Sequence, residues 1–394
     1  MITRTIWLLS IVSLMTDMAS EMLYPVMPVY LRHIGFSVFW IGILEGLAEA
    51  IAGLSKGYFG NLSDHWGKRL PFVQLGYSLS ALSKPMMAML VHPVWVLGVR
   101  ITDRLGKGIR TGARDAMLSA EATPETKATV FGFHRSLDTI GAVIGPALAL
   151  LFLYWYPGHY RWLFLIALFP GLIAIAATFL LQEKHITVNK DQRRNNPGFL
   201  SFLSYWKSAS PMYRRLTAGL LAFALFNSSD IFLLLAAKEA GVSDTWVIGI
   251  YIFYNLVYTI TAFPAGILAD GLGLKRIFML GIFIFALVYG GMSFVRGNWS
   301  WYMVLFALYG IYAACTEGIA KAWITQLCKK EETATAIGTF TAFQSIAALG
   351  ASTFAGFLWW QFGAEVTFGV TAVVSLLVLL YIYFFIKKPD IELS

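Results

Sequence analysis

Three carboxylates lie inside segments of the chain that are otherwise apolar. Asp17 and Glu21 are one helical turn apart in the first such segment, and Asp138 lies in the fifth. A charge at the centre of a bilayer costs about 2.5–3.5 kcal/mol, so an intramembrane carboxylate indicates a function or a partner. We predict that this set includes the residue that binds and releases a coupled proton. The alternative is that the three acids only pair with basic groups and hold helices together.

Basic residues form a stripe on the fourth apolar segment. At about 100° per residue, one helix face carries Arg100, Asp103, Arg104, Lys107, Arg110 and Arg114. Guanidinium groups hold carboxylate or phosphate through paired hydrogen bonds, so we predict that Arg100, Arg104 and Arg135 contact an acidic group of a substrate. The alternative is that Asp103, Asp138 and the acids of the first two segments already neutralise these arginines. The basic residues nearest the end of the segment are interpreted as structural or gating.

The second half of the chain has its own polar residues within apolar segments. The candidates for substrate binding there are Asn227, Asp230, Tyr254, Asn255, Tyr258, Glu317 and Lys321. The last two have i,i+4 spacing, so an intrahelical salt bridge is the simpler interpretation. The second half lacks counterparts of several charges of the first, so we expect coupling chemistry in the first half and a more apolar wall in the second.

An internal repeat with an offset of 206 residues joins the two halves. Residues 60–69 read GNLSDHWGKR and residues 266–276 read GILADGLGLKR, so that Asp64 aligns with Asp270. The sequence AT at 128–129 returns at 334–335 in the same register. A shared register across two distant regions indicates a duplicated unit, an arrangement typical of many secondary transporters. We predict gating roles for both aspartates and for Gly60, Gly67, Lys68 and Arg69.

Composition and segment lengths indicate an integral membrane protein. The 394 residues are 58% hydrophobic and 13% charged, against about 25% charge in ordinary soluble domains. Twelve apolar spans, each near the roughly 20 residues needed to cross a bilayer, are predicted. They are 5–31, 39–59, 71–91, 94–117, 128–153, 160–181, 214–237, 245–268, 276–295, 300–326, 334–357 and 363–386. The two cysteines do not suggest a disulfide framework or a metal site.

The distribution of basic residues predicts the orientation and the domain boundaries. Lysine and arginine concentrate in alternate loops, which places both termini in the cytoplasm by the positive-inside rule. The longest polar stretch, 182–213, is predicted to be a cytoplasmic linker. It separates an N-terminal six-helix bundle at 1–181 from a C-terminal six-helix bundle at 214–394. The predicted fold is therefore all-α, with two pseudo-symmetric bundles.

Several motifs resemble signatures of the major facilitator superfamily. Residues 60–69 are similar to its loop 2–3 signature, G-x-L-x-D-x-x-G-[RK]-[RK], and residues 266–276 to the weaker copy in loop 8–9. Arg104 and Gly108 resemble the fourth-helix signature R-x-x-x-G, with lysine where glutamine is usual at 107. Gly141, Gly145 and Pro146 resemble the fifth-helix antiporter signature, whose last glycines are missing here. We assign these three residues gating roles, with plain helix packing as the alternative.

The resemblance implies alternating access by two bundles and transport driven by a secondary gradient. We predict a proton-coupled exporter of a small organic, anionic or zwitterionic solute in the cytoplasmic membrane, acting as a monomer in contact with lipid. An importer of an organic anion or nutrient is the first alternative. A membrane receptor or enzyme is a distant one, because neither a nucleophile–base pair nor a sensory domain is apparent. We expect no cofactor, no metal, no enzymatic activity and no nucleic-acid partner.

Overall fold

The computed structural model describes residues 2–24, 27, 30, 31, 34, 35, 38–183, 197–242, 244–295 and 299–386. Across these residues the chain is helical, and strands do not occur among them. The first half contains α1 (Arg4–Glu21), α2 (Val38–Trp66), α3 (Leu70–Met87), α4 (Pro93–Glu121), α5 (Lys127–Trp155), α6 (Tyr160–Ile166) and α7 (Leu168–Thr178). The second contains α8 (Tyr205–Ser208), α9 (Pro211–Ala224), α10 (Ile231–Glu239), α11 (Asp244–Leu272), α12 (Leu274–Met292), α13 (Trp299–Gln326) and α14 (Thr333–Phe385).

Local sequence explains where several helices begin. The Thr3 side chain accepts a hydrogen bond from the Ile6 amide at the start of α1, and the Ser210 hydroxyl does the same for Tyr213 at α9. Helices α3, α4 and α9 each have a proline in the first turn, where its missing N–H is not needed.

Several predicted spans differ from the helices that form. Within the first span α1 stops at Glu21, and the described residues 27, 30 and 31 are helical again. The seventh is interrupted between α9 and α10, where the chain reads Asn-Ser-Ser-Asp at 227–230. Short polar side chains compete for backbone hydrogen bonds and so disfavour a continuous helix at this point. The last two spans meet at Gly363, which has a φ of 84° inside α14 and so separates two helical stretches.

Among the described residues, six helical stretches are long and apolar enough to cross a membrane. They are Lys127–Trp155, Tyr160–Thr178, Gly249–Leu272, Leu274–Met292, Ser300–Gln326 and Lys330–Phe385. The last has 56 residues, more than twice the roughly 20 that one crossing requires. Helices α2 and α4 are long enough but carry the intramembrane charges that the sequence singled out.

Contacts divide the chain into two compact units that exchange short segments. The first unit holds residues 1–123, 133–207 and 329–345, and the second holds 124–132, 208–328 and 346–394. The start of α5 thus belongs by contact to the second unit, and the start of α14 belongs to the first. The boundaries predicted at 181 and 214 stay a prediction. Most of the predicted linker, 184–196, lies outside the described residues.

Each unit has a buried apolar core that positions its polar residues. In the first unit, Met22, Tyr30, Leu163 and Phe164 are almost completely buried in one cluster. In the second, the largest buried side chains include Phe285, Phe306 and Phe368. Helix α4 packs against α2 and α3 within the first unit.

Candidate functional site

Asp64 lies in a buried polar cluster at the end of α2, which we call the first latch. Its carboxylate accepts hydrogen bonds from the backbone N–H of Thr335 at 2.7 Å and from the Thr335 hydroxyl at 3.0 Å. The Arg69 guanidinium donates to the other carboxylate oxygen at 3.0 Å. Thr335 lies in the first turn of α14, whose unsatisfied N–H groups favour an anion. Burial raises the pKa of Asp64 to about 6, while Arg69 and Thr335 oppose that change.

Arg69 and Lys68 have different surroundings, although the sequence placed both in one gating motif. Arg69 is 2% exposed and also donates to the carbonyl oxygens of Ala116 and Lys330, at 3.3 and 3.0 Å. It therefore joins α4 and the start of α14 to Asp64. Lys68 is exposed. Gly67 has a φ of 63°, which allows the chain to turn between α2 and α3.

Glu183 belongs to this region and was not predicted from the sequence. Its carboxylate accepts hydrogen bonds from the backbone N–H groups of Arg69 and Leu70, the latter at 3.1 Å. It thus caps the N-terminus of α3 from a position 113 residues later in the chain. No local motif signals this contact, because the capping residue normally precedes its helix by one position.

Asp270 occupies the equivalent position in the second unit, and with Ala128 and Thr129 it forms the second latch. The carboxylate accepts hydrogen bonds from the backbone N–H groups of Ala128 at 3.0 Å and Thr129 at 2.7 Å. These residues begin α5, so Asp270 also caps a helix N-terminus. Lys275, in the register of Arg69, donates instead to the carbonyl oxygens of Tyr383 and Ile386.

Glycines bring helix backbones together next to each latch. A Cβ atom at Gly60 would lie 2.5 Å from the carbonyl oxygen of Ala334, within the first unit. In the second unit, a Cβ at Gly266 would collide with the carbonyl oxygen of Ala128. Only glycine allows such an approach. The 206-residue repeat thus preserves a close helix crossing as well as an aspartate.

The glycines of the fifth helix pack against α1 in the first unit. A Cβ at Gly141 would lie 2.5 Å from the carbonyl oxygen of Leu14, and one at Gly145 would lie 2.5 Å from that of Met18. Pro146 lies within the same helix. Their positions fit tight helix packing, and their gating role stays a prediction.

Asp138 lies in a buried polar network between α1, α4 and α5. It accepts hydrogen bonds from the Ser13 hydroxyl and from Arg135, the latter at 2.7 Å. Arg114 donates to the same Ser13 hydroxyl at 3.2 Å and pairs with Asp115 at 2.8 Å. The network therefore links a predicted proton site directly to Arg135, a predicted substrate contact.

Asp17 and Glu21 lie on α1 beside this network. The Asp17 carboxyl group interacts with Asp138, with Lys107 and with Glu21. Two carboxyl groups that face each other in a buried site favour retention of one proton between them. Of the three predicted proton carriers, Asp17 and Asp138 are thus brought together, with Glu21 next to them.

Asp103 is the acidic residue at the centre of the basic stripe on α4. It accepts a hydrogen bond from the Ser80 hydroxyl at 2.5 Å and pairs with Lys84 at 3.4 Å. Arg100 and Arg104 also interact with Asp103. A small cavity of about 30 Å³, roughly one water in size, is lined by Lys84, Arg100 and Asp103 among others.

The second unit groups its predicted polar residues into pairs. Asn227 donates to the Tyr312 hydroxyl at 2.8 Å, and Tyr258 donates to Glu317 at 3.0 Å. Asn255 donates to the carbonyl oxygen of Tyr251, one turn earlier in its own helix. A grouping of His, Cys, Asp and Glu suited to a metal ion does not occur among the residues that the structure describes.

Tyr254 and Asp230 form a further pair in this unit. The Tyr254 hydroxyl donates to the Asp230 carboxylate at 2.7 Å. Asp230 stands at the interruption between α9 and α10, so the break in the predicted span positions one of the predicted substrate residues. Tyr309, Tyr312 and Phe306 surround the pair with aromatic rings; the sequence did not single them out.

Comparisons of sequence identify the family. A family model described as Major Facilitator Superfamily matches residues 9–253 and 240–394. An uncharacterized MFS-type transporter of Methanocaldococcus jannaschii is 32% identical over 390 residues, covering 97% of this chain and 95% of that protein. A Lactococcus lactis protein named as a homologue of the multidrug resistance efflux pump PmrA is 20% identical over 284 residues. The match covers 70% of this chain and 69% of that protein.

Solved structures with the same fold cover almost the whole chain. The human organic anion transporter TETRAN is similar with a TM-score of 0.81 at 16% identity, covering 96% of this chain and 99% of that one. The proton:xylose symporter XylE has a TM-score of 0.72 at 14% identity, covering 98% and 97%. At identities this low, similarity to these structures establishes the fold alone. It confirms the predicted all-helical architecture of two six-helix halves.

Proposed function

Because the chain belongs to the Major Facilitator Superfamily, a family of membrane transporters, we propose that it is a proton-coupled secondary transporter that exports a small organic solute. The observation that carries the proposal is the contact of Asp17 with Asp138 beside Arg135. Carboxyl groups that share a proton next to an arginine can exchange that proton when a substrate anion alters the local charge.

The two latches support alternating access. Each aspartate joins the end of one long helix to the N-terminus of another through hydrogen bonds to backbone N–H groups. We infer that each latch also has an open arrangement, in which these hydrogen bonds are broken and the two helices separate at the glycine. In this proposal both latches hold the cytoplasmic side closed and must open once in each transport cycle.

The basic residues of the first unit support a solute with an acidic group. Lys84, Arg100 and Arg104 all interact with one carboxylate, that of Asp103. An incoming carboxylate or phosphate could compete for their donors. The fold likeness to an organic anion transporter agrees with this substrate class, and the efflux-pump relative favours export.

Import is the alternative direction, and the fold likeness to a proton:xylose symporter is the observation that favours it. The same carboxyl pair would then carry protons inward together with the solute. We propose that the protein acts as a monomer in the cytoplasmic membrane. The distribution of lysine and arginine supports placing both termini in the cytoplasm.

Reconstituted transport tests the proposal. Protein in liposomes would be given an internal library of labelled organic anions, and efflux would be compared with and without an imposed pH gradient. We expect accumulation against a concentration gradient, with loss of coupling in Asp138→Asn or Asp17→Asn. Equal transport with and without the pH gradient contradicts proton coupling, and gradient-driven movement with the proton flux supports the symport alternative.

A further inference from the structure

The Asp230 carboxylate is half-buried in the second unit. It accepts hydrogen bonds from the Tyr254 hydroxyl at 2.7 Å and the Ser229 hydroxyl at 3.4 Å. Among the residues that the structure describes, no lysine or arginine forms an ion pair with it. A partly desolvated carboxylate without a cationic partner is costly to keep ionised, so it is a candidate to bind a cation.

Two further tyrosines lie next to Asp230. Tyr309 is 7% exposed and Tyr289 is fully buried, and both interact with Asp230. The ring of Tyr309 contacts the rings of Tyr254, Phe306 and Tyr312. The Asp230 carboxylate thus lies among tyrosine side chains.

The aromatic rings around the carboxylate favour a particular ligand chemistry. Tyr254 makes perpendicular contacts with Tyr251 and Tyr309, both with ring centroids 5.4 Å apart. The ring centroids of Tyr309 and Tyr312 are 5.3 Å apart. Ring faces attract weakly hydrated organic cations. A metal ion such as Ca²⁺ or Mg²⁺ requires more oxygen ligands than one carboxylate and scattered hydroxyls provide.

We propose that Asp230, Tyr254 and Tyr309 bind a substituted ammonium group of the transported solute. The proposal rests on the proposed transport function, and it narrows the solute to one that carries an organic cation. A solute that carries both this cation and the acidic group of the proposed function is a zwitterion. Asp230 supplies the charge, and the rings of Tyr254 and Tyr309 exclude water around the alkyl groups.

Equilibrium binding to purified full-length protein in detergent at pH 7.5 tests this inference without any gradient. The probes are benzyltrimethylammonium and its neutral isostere neopentylbenzene, each titrated by calorimetry. We expect the ammonium probe to bind at least about tenfold more tightly than the isostere, because the isostere retains shape and apolar area but lacks the charge.

Three variants locate the site. Asp230→Asn should weaken ammonium binding at least about tenfold, and Tyr309→Phe should weaken it about threefold. Glu239→Gln, at an exposed position on the same helix, should bind like the parent. Tyr309→Phe removes only the hydroxyl and keeps the ring, so it decides the matter if Asp230→Asn fails to fold.

Equal affinity for both probes overturns the inference. Parent-like ammonium binding in a folded Asp230→Asn overturns it too, as does parent-like binding in Tyr309→Phe where Asp230→Asn does not fold. Absence of saturable ammonium binding to the parent overturns it as well. Loss of proton coupling would leave this binding result intact, so failure of the transport proposal and failure of the ammonium site are separate outcomes.

Discussion

The first and second latches are built from the same repeat, yet they hold their helices differently. Asp64 combines helix capping with a buried ion pair to Arg69. Asp270 caps a helix through two backbone N–H groups, and the lysine in the register of Arg69 binds carbonyl oxygens at the end of α14. Both halves thus keep the helix cap and the close crossing at glycine. The basic residue differs, because Arg69 pairs with its aspartate and Lys275 binds carbonyl oxygens instead. We therefore expect the first latch to depend more on charge than the second.

Removing each aspartate's charge should give the largest difference between the latches. Asp64→Asn leaves the buried Arg69 guanidinium without its anion, and breaking a buried pair costs about 3–5 kcal/mol. Asp270→Asn weakens only hydrogen bonds to backbone N–H groups, for about 1–2 kcal/mol. Hydrogen exchange should therefore accelerate at least about 100-fold at Thr335 in the first variant and about tenfold at Thr129 in the second. Both variants should still fold, and both should transport the solute more slowly than the parent does.

The unaltered latch in each variant provides the internal control, because its own amides should keep the parent exchange rate. Equal acceleration at Thr335 and Thr129 would mean that Arg69 contributes nothing specific to the first latch.

Filling the glycine crossings should affect the two latches alike. A Cβ in Gly60→Ala or Gly266→Ala meets a backbone carbonyl oxygen that cannot move as a side chain could. Overpacking of this kind costs about 1–3 kcal/mol, so we expect similar losses of transport and similar opening at both latches. Gly271→Ala is the matched control, since an added Cβ there meets nothing within 4 Å. A large asymmetry between Gly60→Ala and Gly266→Ala would show that the repeat no longer preserves equivalent crossings.

The cap of α3 offers the smallest test. Glu183→Gln weakens the hydrogen bonds that this side chain accepts from the backbone N–H groups of Arg69 and Leu70. Loss of a helix cap costs about 0.5–2 kcal/mol of stability. The start of α12 has no such side-chain cap at Gly273, so the two halves differ here too. We expect a lower unfolding temperature and faster exchange at the start of α3, with the second latch unchanged. Parent-like exchange at Leu70 would show that the cap adds no stability.

The sequence predicted the repeat, the membrane class and the two aspartates because these depend on local composition and fixed spacing. It could not predict Glu183 as a cap, since that contact joins positions 113 residues apart. The interruption at 227–230 was missed because the surrounding apolar pattern outweighed four polar residues. Asp138 was singled out as an intramembrane charge, and its role in proton coupling stays a prediction. Its partner Ser13 gave no signal, since a serine on an apolar helix usually bonds its own backbone.

The two latches become complete at different times during synthesis of the chain. Asp270 emerges after its partners at 128 and 129, so the second latch can close as soon as residue 270 leaves the ribosome. Asp64 must wait for Thr335, 271 residues later, which is roughly 15–55 s at usual elongation rates of 5–20 residues per second. During that interval Arg69, five residues away in the chain, is already available to Asp64. The first latch therefore has a local partner for its aspartate before the helix that Asp64 caps has been made, whereas the second latch needs none.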